Sequence, residues 1–509
     1  MKNLFFISIA LSGAFIFSSC SKSFLEQSSA NSVSVDQSFQ TQSDVLLAVN
    51  GAYQALRSSN CIGENAQTWT DDRSDDVNTT DNQSNNGEPF QFTAFSLTAS
   101  NSYLYSHWAA LYVPITRANQ VLSVIDKISF TSDTIKTQYK AEMKFLRAYM
   151  YFDLVREFGD VPLVLTPLSN TDQLNASTFR VSRDSVYAQI VADLKDVVAS
   201  NLPVVQPASN KGHVSLQAAN GLLGQVYLTM ATTLTSNTTT NLNNAKTYLL
   251  ACYNQRTFGA LSTIPYTDVF DVTKKGTCPE IIWQIVYLQG DINYSSSIAA
   301  NNQAKGETIN SLVVSTGSGG TLTNDLLKEY ETGDLRTNFS IKYAANPAVQ
   351  AYFITKYRDA SAAAGTLGYG GNDCIIMRYA DIILNLAEVS MYLNDNVSAI
   401  QYLNMVRARA SRPDYATMMT DPTYSAKYPT LKLAILHERR VELAFEHHRW
   451  HDLLRFFNIN DLVTYFHAKS QADYNNSPLT NFSTKDEYFP IPLKEVNLDP
   501  VRMYQNPGY

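Results

Sequence analysis

Amphipathic helices recur along most of this chain of 509 residues, and they constrain its fold more than any other feature. Apolar residues three or four positions apart share one helical face, and the first such stripe is Val45, Val49, Ala52, Tyr53 and Leu56. Helices are predicted to begin near Ser43, Trp108, Phe145, Ser182 and Ser215 and to cover residues 243–253, 379–393, 398–410, 431–445 and 449–457. The sequence therefore predicts a mainly helical protein.

Small residues stand where successive helices would touch, namely Ala148, Ala218, Ala219, Gly224 and Ala387. They let helices approach closely, as in hairpin repeats of the tetratricopeptide type. Irregular insertions near residues 60–106 and 261–330 interrupt the pattern, and residues 280–287 are predicted to form a strand. The predicted fold is mostly α, a tetratricopeptide-like helical hairpin scaffold with long irregular insertions that contain a few short strands. Such insertions usually carry function.

The first residues have the pattern of a secretion signal. Lys2 precedes an apolar run from Leu4 to Phe17, which is too short to span a membrane. Two serines then precede Cys20, as at the cleavage site of a bacterial lipoprotein. We predict a signal peptide over residues 1–19, lipidation of Cys20, and a single domain over residues 20–509. An ordinary secretory signal, with Cys20 incidental, is the alternative.

Composition excludes some functions. The net charge of −7 argues against a nucleic-acid partner. The 30 tyrosines suit stacking on sugars or peptides, although many would fill helix contacts. The remaining cysteines, Cys61, Cys252, Cys278 and Cys374, form no CxxC pair, so a zinc or redox motif is not indicated. Two disulfides in any of three pairings and free buried thiols both remain open.

Two clusters contain residue types that can bind metal ions. Asp71, Asp72, Asp75 and Asp76 could offer oxygen ligands to calcium, but the EF-hand spacing is missing, and a solvated loop is the favoured interpretation. His447 and His451 have a spacing that can hold zinc on a helix, yet HExxH is absent. Solvated or helix-capping histidines are favoured. We therefore predict no cofactor and no metal. A structural calcium ion is possible in principle, but the sequence does not support one.

No catalytic motif is present, and the densest charge cluster is interpreted as structural. Its members lie at helical spacing: Glu438, Arg439, Arg440, Glu442, Glu446, Arg449 and Asp452. Bidentate pairs among them could lock two consecutive helices, covered by Phe445 and Trp450. Each acid has an arginine neighbour that would keep it ionised, whereas a general acid needs a raised pKa. We therefore predict that the protein is not an enzyme.

Several segments in order resemble the SusD/RagB family of outer-membrane lipoproteins. They are AEMKFLRAYMYFDLV (141–155) with FGDVP (158–162), YE (330–331) with GD (333–334) and Arg336, RYADIIL (378–384) with Ala387 and Glu388, LNMVRARA (403–410), ERRVELAFE (438–446) with Arg449, Trp450, Asp452 and Leu453, FPIP (489–492), and QNPGY (505–509). The family usually has glycine at position 447 and an aromatic residue at position 451, so both histidines are departures. Together the segments span essentially the whole chain after Cys20.

The resemblance implies a cell-surface protein, lipid-anchored in the outer membrane and facing the exterior. It implies that the protein binds an oligomeric nutrient and delivers it to a SusC-like TonB-dependent transporter. A glycan is the favoured ligand. A peptide-binding uptake component of the RagB type is the alternative, and a helical glycoside hydrolase is a more distant one.

The resemblance also directs attention to the insertions, where the family's ligand site lies. Aromatic plates beside amide or carboxylate groups suit sugar binding. The leading candidates are Trp69, Tyr103 and Tyr294, followed by Phe90, Phe92, Tyr105, Tyr287 and Asn293. Burial in an insertion's own core is the alternative for each of them. Trp108 and Trp283 lie in patterned elements and are predicted to be core residues.

Overall fold

The computed structural model describes residues 39–78, 82–304, 306–309, 312–313, 321–344, 346, 350–367, 370–474 and 479–509. The predicted signal peptide and Cys20 lie outside these residues.

Long helices dominate the described residues, which confirms the predicted fold class. In chain order they are α1 (Gln42–Leu56), α2 (Ser102–Val124), α3 (Asp133–Phe158), α4 (Arg183–Val198), α5 (Leu216–Thr233), α6 (Thr238–Asn254), α7 (Tyr379–Tyr392), α8 (Asn396–Arg409), α9 (Leu431–Glu442), α10 (Arg449–Phe456) and α11 (Ile459–His467). Shorter helices cover Phe90–Thr93, Thr171–Ser177, Ile298–Asn301, Asn324–Leu327, Thr337–Ser340, Ala362–Leu367, Tyr415–Met418, Pro422–Lys427 and Leu493–Val496.

Local capping residues set the helix ends. Ser182 and Ser215 accept hydrogen bonds from the third backbone N–H after them and begin α4 and α5, as predicted. Helix α1 is capped by Thr41 and not by the predicted Ser43, because Thr41 forms a capping box with Asp44. Gly159 ends α3 with a φ of 73°, a conformation that costs glycine little.

Each long helix from α1 to α8 packs on the next one in sequence, and α7 also contacts α9. The predicted stripe of α1 is buried at Val45, Val49, Ala52 and Leu56. At Gly224 of α5, an added Cβ would lie 2.6 Å from Leu249 Cγ of α6. The small residue therefore allows the close approach of these two helices, as the sequence indicated.

The strands are short, and five of the ten in the described residues lie in the two insertions. They are β1 (Val77–Asn78), β2 (Val161–Pro162), β3 (Arg180–Val181), β4 (Ile281–Ile285), β5 (Thr308–Ile309), β6 (Leu312–Val313), β7 (Thr321–Leu322), β8 (Ile341–Tyr343), β9 (Tyr352–Ile354) and β10 (Cys374–Arg378). One sheet has the order β1-β7-β9-β8, and β2–β3, β5–β6 and β4–β10 form pairs. Strand β4, within the predicted strand, runs antiparallel to β10 with Ile285 opposite Cys374.

A buried network of arginines and carboxylates joins the C-terminal helices, as the charge pattern predicted. Arg439 of α9 contacts Asp381 of α7 and Asp452 of α10, both at 2.8 Å. Arg455 continues the network from Asp452 (2.7 Å) to Glu388 of α7 (2.9 Å). Phe445 and Trp450 are both buried beside it. These pairs fix α7, α9 and α10 relative to one another.

The acidic run after Trp69 is buried, so the prediction of a solvated loop is wrong. Asp71, Asp72, Asp75 and Asp76 are each at most 9% exposed. Arg449 contacts Asp75 at 2.6 Å, and Arg440 contacts Asp76 at 2.6 Å. Arginine side chains therefore pair with Asp75 and Asp76, and these contacts tie the first insertion to α9 and α10.

Candidate ligand-binding site

A cavity of about 410 Å³ lies where α1 ends, beside the loop 208–213 and the end of β4. Because β4 leads directly into the loop 286–294, the cavity and this loop are adjacent. We call the cavity together with the ring of Tyr294 the Arg57–Tyr294 site. Its polar lining includes Tyr53, Arg57, Lys211, His213, Gln284 and Asp373.

The loop 286–294 presents apolar side chains to solvent. Val286, Leu288, Ile292 and Tyr294 are exposed, with Tyr294 at 43%. The guanidinium of Arg57 lies 4.6 Å from the centroid of the Tyr294 ring. A cation over an aromatic face holds the ring in place and covers that face, while the exposure of Tyr294 shows that part of the residue still faces solvent. Asn293 is exposed beside it.

Two buried oxygen atoms of the cavity lining lack hydrogen-bond donors among the described residues. One is Oε1 of Gln284, whose Nε2 donates to Lys275 O at 3.0 Å. The other is Oδ2 of Asp373, whose Oδ1 accepts from Lys275 Nζ and from the backbone N–H of Tyr287, both at 2.8 Å. Burial raises the pKa of Asp373 to about 6. Both atoms expose less than 1 Å² of surface, so they lie behind the cavity wall, at depths where an ordered water molecule rather than a ligand would supply the donor.

Beneath one wall of the cavity, Glu142 holds two lining residues. Its Oε2 accepts from the Tyr53 hydroxyl at 2.5 Å and lies 2.7 Å from Nδ1 of His213. Burial alone would lower the pKa of His213, but the hydrogen bond with Glu142 outweighs it and raises the pKa. The Tyr53 and His213 rings lie 4.6 Å apart between centroids.

Of the predicted site residues, the structure places Tyr294 and Asn293 beside the cavity. Tyr287 is 3% exposed and packs so closely over Gly63 that a Cβ there would lie 2.5 Å from its hydroxyl. Its ring is therefore core, although its backbone N–H supports Asp373.

Trp69 and Phe92, two predicted sugar plates, lie in the protein core. Trp69 is 2% exposed, stacks on His107 at 4.2 Å and donates from Nε1 to Cys61 O at 3.1 Å. Phe92 is fully buried and contacts Trp69 edge-on. The expectation that these rings face a ligand is corrected, since the insertion uses them for its own packing. Trp108 and Trp283 are buried, as predicted.

Phe90, Tyr103 and Tyr105 are half-buried near the start of α2. The ammonium of Lys494, from the C-terminal segment, lies 4.2 Å from the centroid of the Tyr105 ring. None of the three lines the Arg57–Tyr294 site. The predicted aromatic residues therefore do not form one site: Tyr294 lies beside the cavity, whereas Phe90, Tyr103 and Tyr105 lie near the start of α2.

Sequence analysis did not identify Arg57, Lys211, Gln284 or Asp373 as site residues. They come from the end of α1, the 208–213 loop, β4 and the start of β10. The sequence signals were weak: a basic residue after the last turn of α1, and an acid at the end of the Gly-rich stretch 365–373. Only the folded chain brings them together.

His447 is half-buried and His451 is buried, so the prediction of solvated histidines is wrong, and only His451 lies on a helix. His447 lies before α10 with a φ of 67°, in the left-handed region that favours glycine, and contacts Asp71 at 3.3 Å. That ion pair raises the pKa of His447 to about 10 although burial opposes it. His451 is buried within α10. Both line an internal cavity of about 80 Å³.

Lowering the pH below 6.5 is expected to destabilise the protein through His451. Burial, followed by the charges of Arg156 and Arg455, holds the pKa of His451 well below its ordinary value of 6.5. The unfolded chain therefore binds a proton that the folded chain excludes, so the free energy of unfolding falls by up to about 1.4 kcal/mol per pH unit. In urea unfolding at pH 6.5, 6.0 and 5.5, the free energy of unfolding should fall less steeply for His451→Gln than for the wild type. His467→Gln, at an exposed histidine, is the control. If the free energy of unfolding fell equally with pH in the wild type and in His451→Gln, His451 would not be the cause of the pH dependence.

Among the described residues, one group has metal-ligating atoms close together: Glu331, His437 and Glu438. Arg407 contacts Glu331 at 2.8 Å and Glu438 at 2.9 Å, and both histidine nitrogens already face glutamates. These contacts make it a charge-compensated ion-pair cluster. All four cysteines after Cys20 are free and buried, which decides against the disulfide alternatives.

Within the part of the chain that the structure describes, helices long and apolar enough to cross a membrane are absent. Two family descriptions match the sequence: the SusD family over residues 338–509 and "starch-binding associating with outer membrane" over residues 23–228. Among curated relatives, SusD-like protein P2 of Formosa agariphila is 25% identical, over 95% of this chain and 96% of its own. A SusD-like protein of Bacteroides ovatus is 24% identical, over 97% of this chain and 90% of its own.

Solved structures share the fold. A laminarin-binding SusD-like protein has a TM-score of 0.74 and 24% identity, covering 92% of this chain and 100% of its own. Surface glycan-binding protein A from Bacteroides fluxus has a TM-score of 0.76 and 22% identity, again covering 92% of this chain and 100% of its own. The corresponding protein from Bacteroides thetaiotaomicron, in complex with laminarihexaose, has a TM-score of 0.73 and 20% identity, also over the same shares.

Proposed function

Because the chain belongs to the SusD family, we propose that it binds an oligosaccharide at the Arg57–Tyr294 site and delivers it to a SusC-like TonB-dependent transporter. The observation that carries this proposal is the exposed ring of Tyr294 beside a cavity lined by polar side chains. Sugars offer an apolar ring face and many hydroxyl groups. The Tyr294 ring suits the face, while the exposed amide groups of Asn50 and Asn210 in the cavity lining suit the hydroxyls.

The comparisons support a glycan over a peptide. The family description names starch, and structural neighbours are named for laminarin and laminarihexaose. Calorimetry of the mature protein against laminarin oligosaccharides, starch oligosaccharides, charged oligosaccharides and mixed peptides tests the choice. Binding of at least one oligosaccharide is expected. Binding of peptides alone would replace the glycan proposal with the peptide alternative.

Tyr294→Ala is expected to weaken oligosaccharide binding about tenfold or more. The change removes the exposed ring, and aromatic anchors of a binding site typically contribute about 2 kcal/mol. Tyr343→Ala is the matched control, since Tyr343 is 54% exposed on β8 and does not line the cavity. Equal affinities of the two variants by calorimetry would place the ligand elsewhere.

We propose binding without hydrolysis. The pKa values of Glu446 and Asp452 are each lowered to about 2 because arginine contacts outweigh burial. Asp373, the acid in the cavity lining, has a raised pKa but is held by Lys275. Prolonged incubation with a bound oligosaccharide should release no new reducing ends. Their release, and its loss in Asp373→Asn, would establish the hydrolase alternative.

We further propose that lipid on Cys20 tethers the protein to the outer face of the outer membrane. A flexible lipid tether keeps the protein near its transporter at high effective concentration. Mass spectrometry should find acyl chains on Cys20, and protease should reach the protein on intact cells. A large β-barrel protein should co-purify from native membranes. Release of Cys20→Ser into soluble fractions supports the tether, whereas unchanged membrane retention contradicts it.

A further inference from the structure

We propose that the Arg57–Tyr294 site selects an anionic glycan, one that carries a carboxylate or sulfate group, and that Lys211 and Arg57 recognise this group. The inference rests on the proposed function and specifies its ligand class. It follows from the balance of charges around the cavity.

Two of the four basic groups that line the cavity have partners. Lys275 Nζ contacts Asp373 at 2.8 Å, and His213 Nδ1 contacts Glu142 at 2.7 Å. These two pairs cancel in charge.

Lys211 and Arg57 line the same cavity without a carboxylate partner among the described residues. The side chain of Arg57 has the Tyr294 ring as its neighbour, and the ammonium of Lys211 makes no hydrogen bond with a described residue. Both side chains are half-buried, and burial lowers the pKa of Lys211. The cavity therefore holds two positive charges that are partly removed from water and uncompensated.

A bound anion would compensate these charges. Hydrogen bonds between charged partners are stronger than neutral ones, and a half-buried site screens them less than open solvent does. The chain as a whole carries a net charge of −7, so its overall field repels anions. Capture of an acidic ligand therefore requires a local positive site such as this one.

The neutral part of the site indicates a sugar that carries the anion. The exposed side chains of Asn50 and Asn210 line the cavity, and their amide carbonyls can accept hydrogen bonds from hydroxyl groups, which a simple inorganic anion does not offer. The Tyr294 ring offers an apolar face to a pyranose. A uronate or a sulfated sugar presents all three features together.

Calorimetry of the mature protein with three probes tests the inference: a neutral β-glucan oligosaccharide, an oligogalacturonide and a sulfated galactan oligosaccharide. We expect one acidic probe to bind at least tenfold more tightly than the neutral one, and the advantage to shrink between 50 and 500 mM NaCl. Lys211→Gln should lower the affinity for that acidic probe about tenfold and change the affinity for the neutral probe less than twofold. Lys211→Arg should restore binding, and Lys144→Gln, at an exposed ion pair, is the control.

The outcomes separate the two proposals. A preference for the oligogalacturonide assigns the anion as carboxylate, and a preference for the galactan assigns it as sulfate ester. Tight binding of the neutral glycan with no effect of Lys211→Gln overturns the inference and leaves glycan binding intact. Absence of binding to every glycan, charged or neutral, overturns the proposed function and the inference with it.

Discussion

Glu442→Gln is expected to lower the free energy of unfolding by about 3–5 kcal/mol. Glu442 is fully buried and shared by three arginines: Oε1 accepts from Arg378 at 2.6 Å and from Arg409, and Oε2 accepts from Arg336 at 2.9 Å. These charges outweigh burial and hold the pKa of Glu442 below its usual range. Glutamine keeps the size of the side chain but removes its charge, so the three guanidinium groups lose a shared counter-charge in the core.

A surface ion pair provides the control for Glu442→Gln. Asp126 contacts Lys140 at 2.8 Å, but its side chain is 66% exposed. Asp126→Asn should therefore change the free energy of unfolding by less than about 1 kcal/mol. Urea unfolding of both variants at pH 7 measures the difference. A cost for Glu442→Gln as small as that for Asp126→Asn would show that the buried network is not needed for stability.

The helical scaffold could be predicted because its signals are local. Apolar stripes and capping residues such as Ser182 and Ser215 act within a few residues, so they are visible in the sequence. The acidic run after Trp69 is the counterexample. Asp75 and Asp76 look like a solvated loop until Arg440 and Arg449, more than 360 residues later, are brought against them. A charge can be buried when its partner arrives from elsewhere, and sequence spacing does not reveal that.

The candidate site could be predicted only in part, for the same reason. Tyr294 was predicted because an aromatic residue in a polar insertion is a recognisable feature. Trp69 has the same sequence character, but it is buried because the ring of His107 covers it. Arg57 and Lys211 became candidates because neither has a carboxylate partner among the residues that the structure describes, and the sequence alone does not show this.

Trp283→Ala is expected to cost about 3–5 kcal/mol of stability and to weaken ligand binding as well. Trp283 lies on β4, is fully buried, and packs edge-on against Phe145 and Tyr149 of α3 at 4.9 and 5.0 Å. Removing a buried indole leaves a cavity between strand and helix, which explains the expected cost. The indole also supports the wall of the proposed ligand site, since Nε1 donates to Gly212 O at 3.1 Å and Gly212 lines the cavity.

Trp283→Phe separates the stability effect from the binding effect. Phenylalanine keeps a buried ring but loses the donor that holds Gly212, the neighbour of Lys211 in the cavity wall. The lost hydrogen bond should cost about 1 kcal/mol and let the 208–213 loop move, so ligand affinity should fall severalfold. Trp108→Phe is the matched control, because Trp108 is equally a core residue and lies outside the cavity lining. Calorimetry measures the ligand affinity of both variants, and urea unfolding measures their stability. If Trp283→Phe bound the ligand as tightly as Trp108→Phe, contacts other than the indole of Trp283 would hold the 208–213 loop in place.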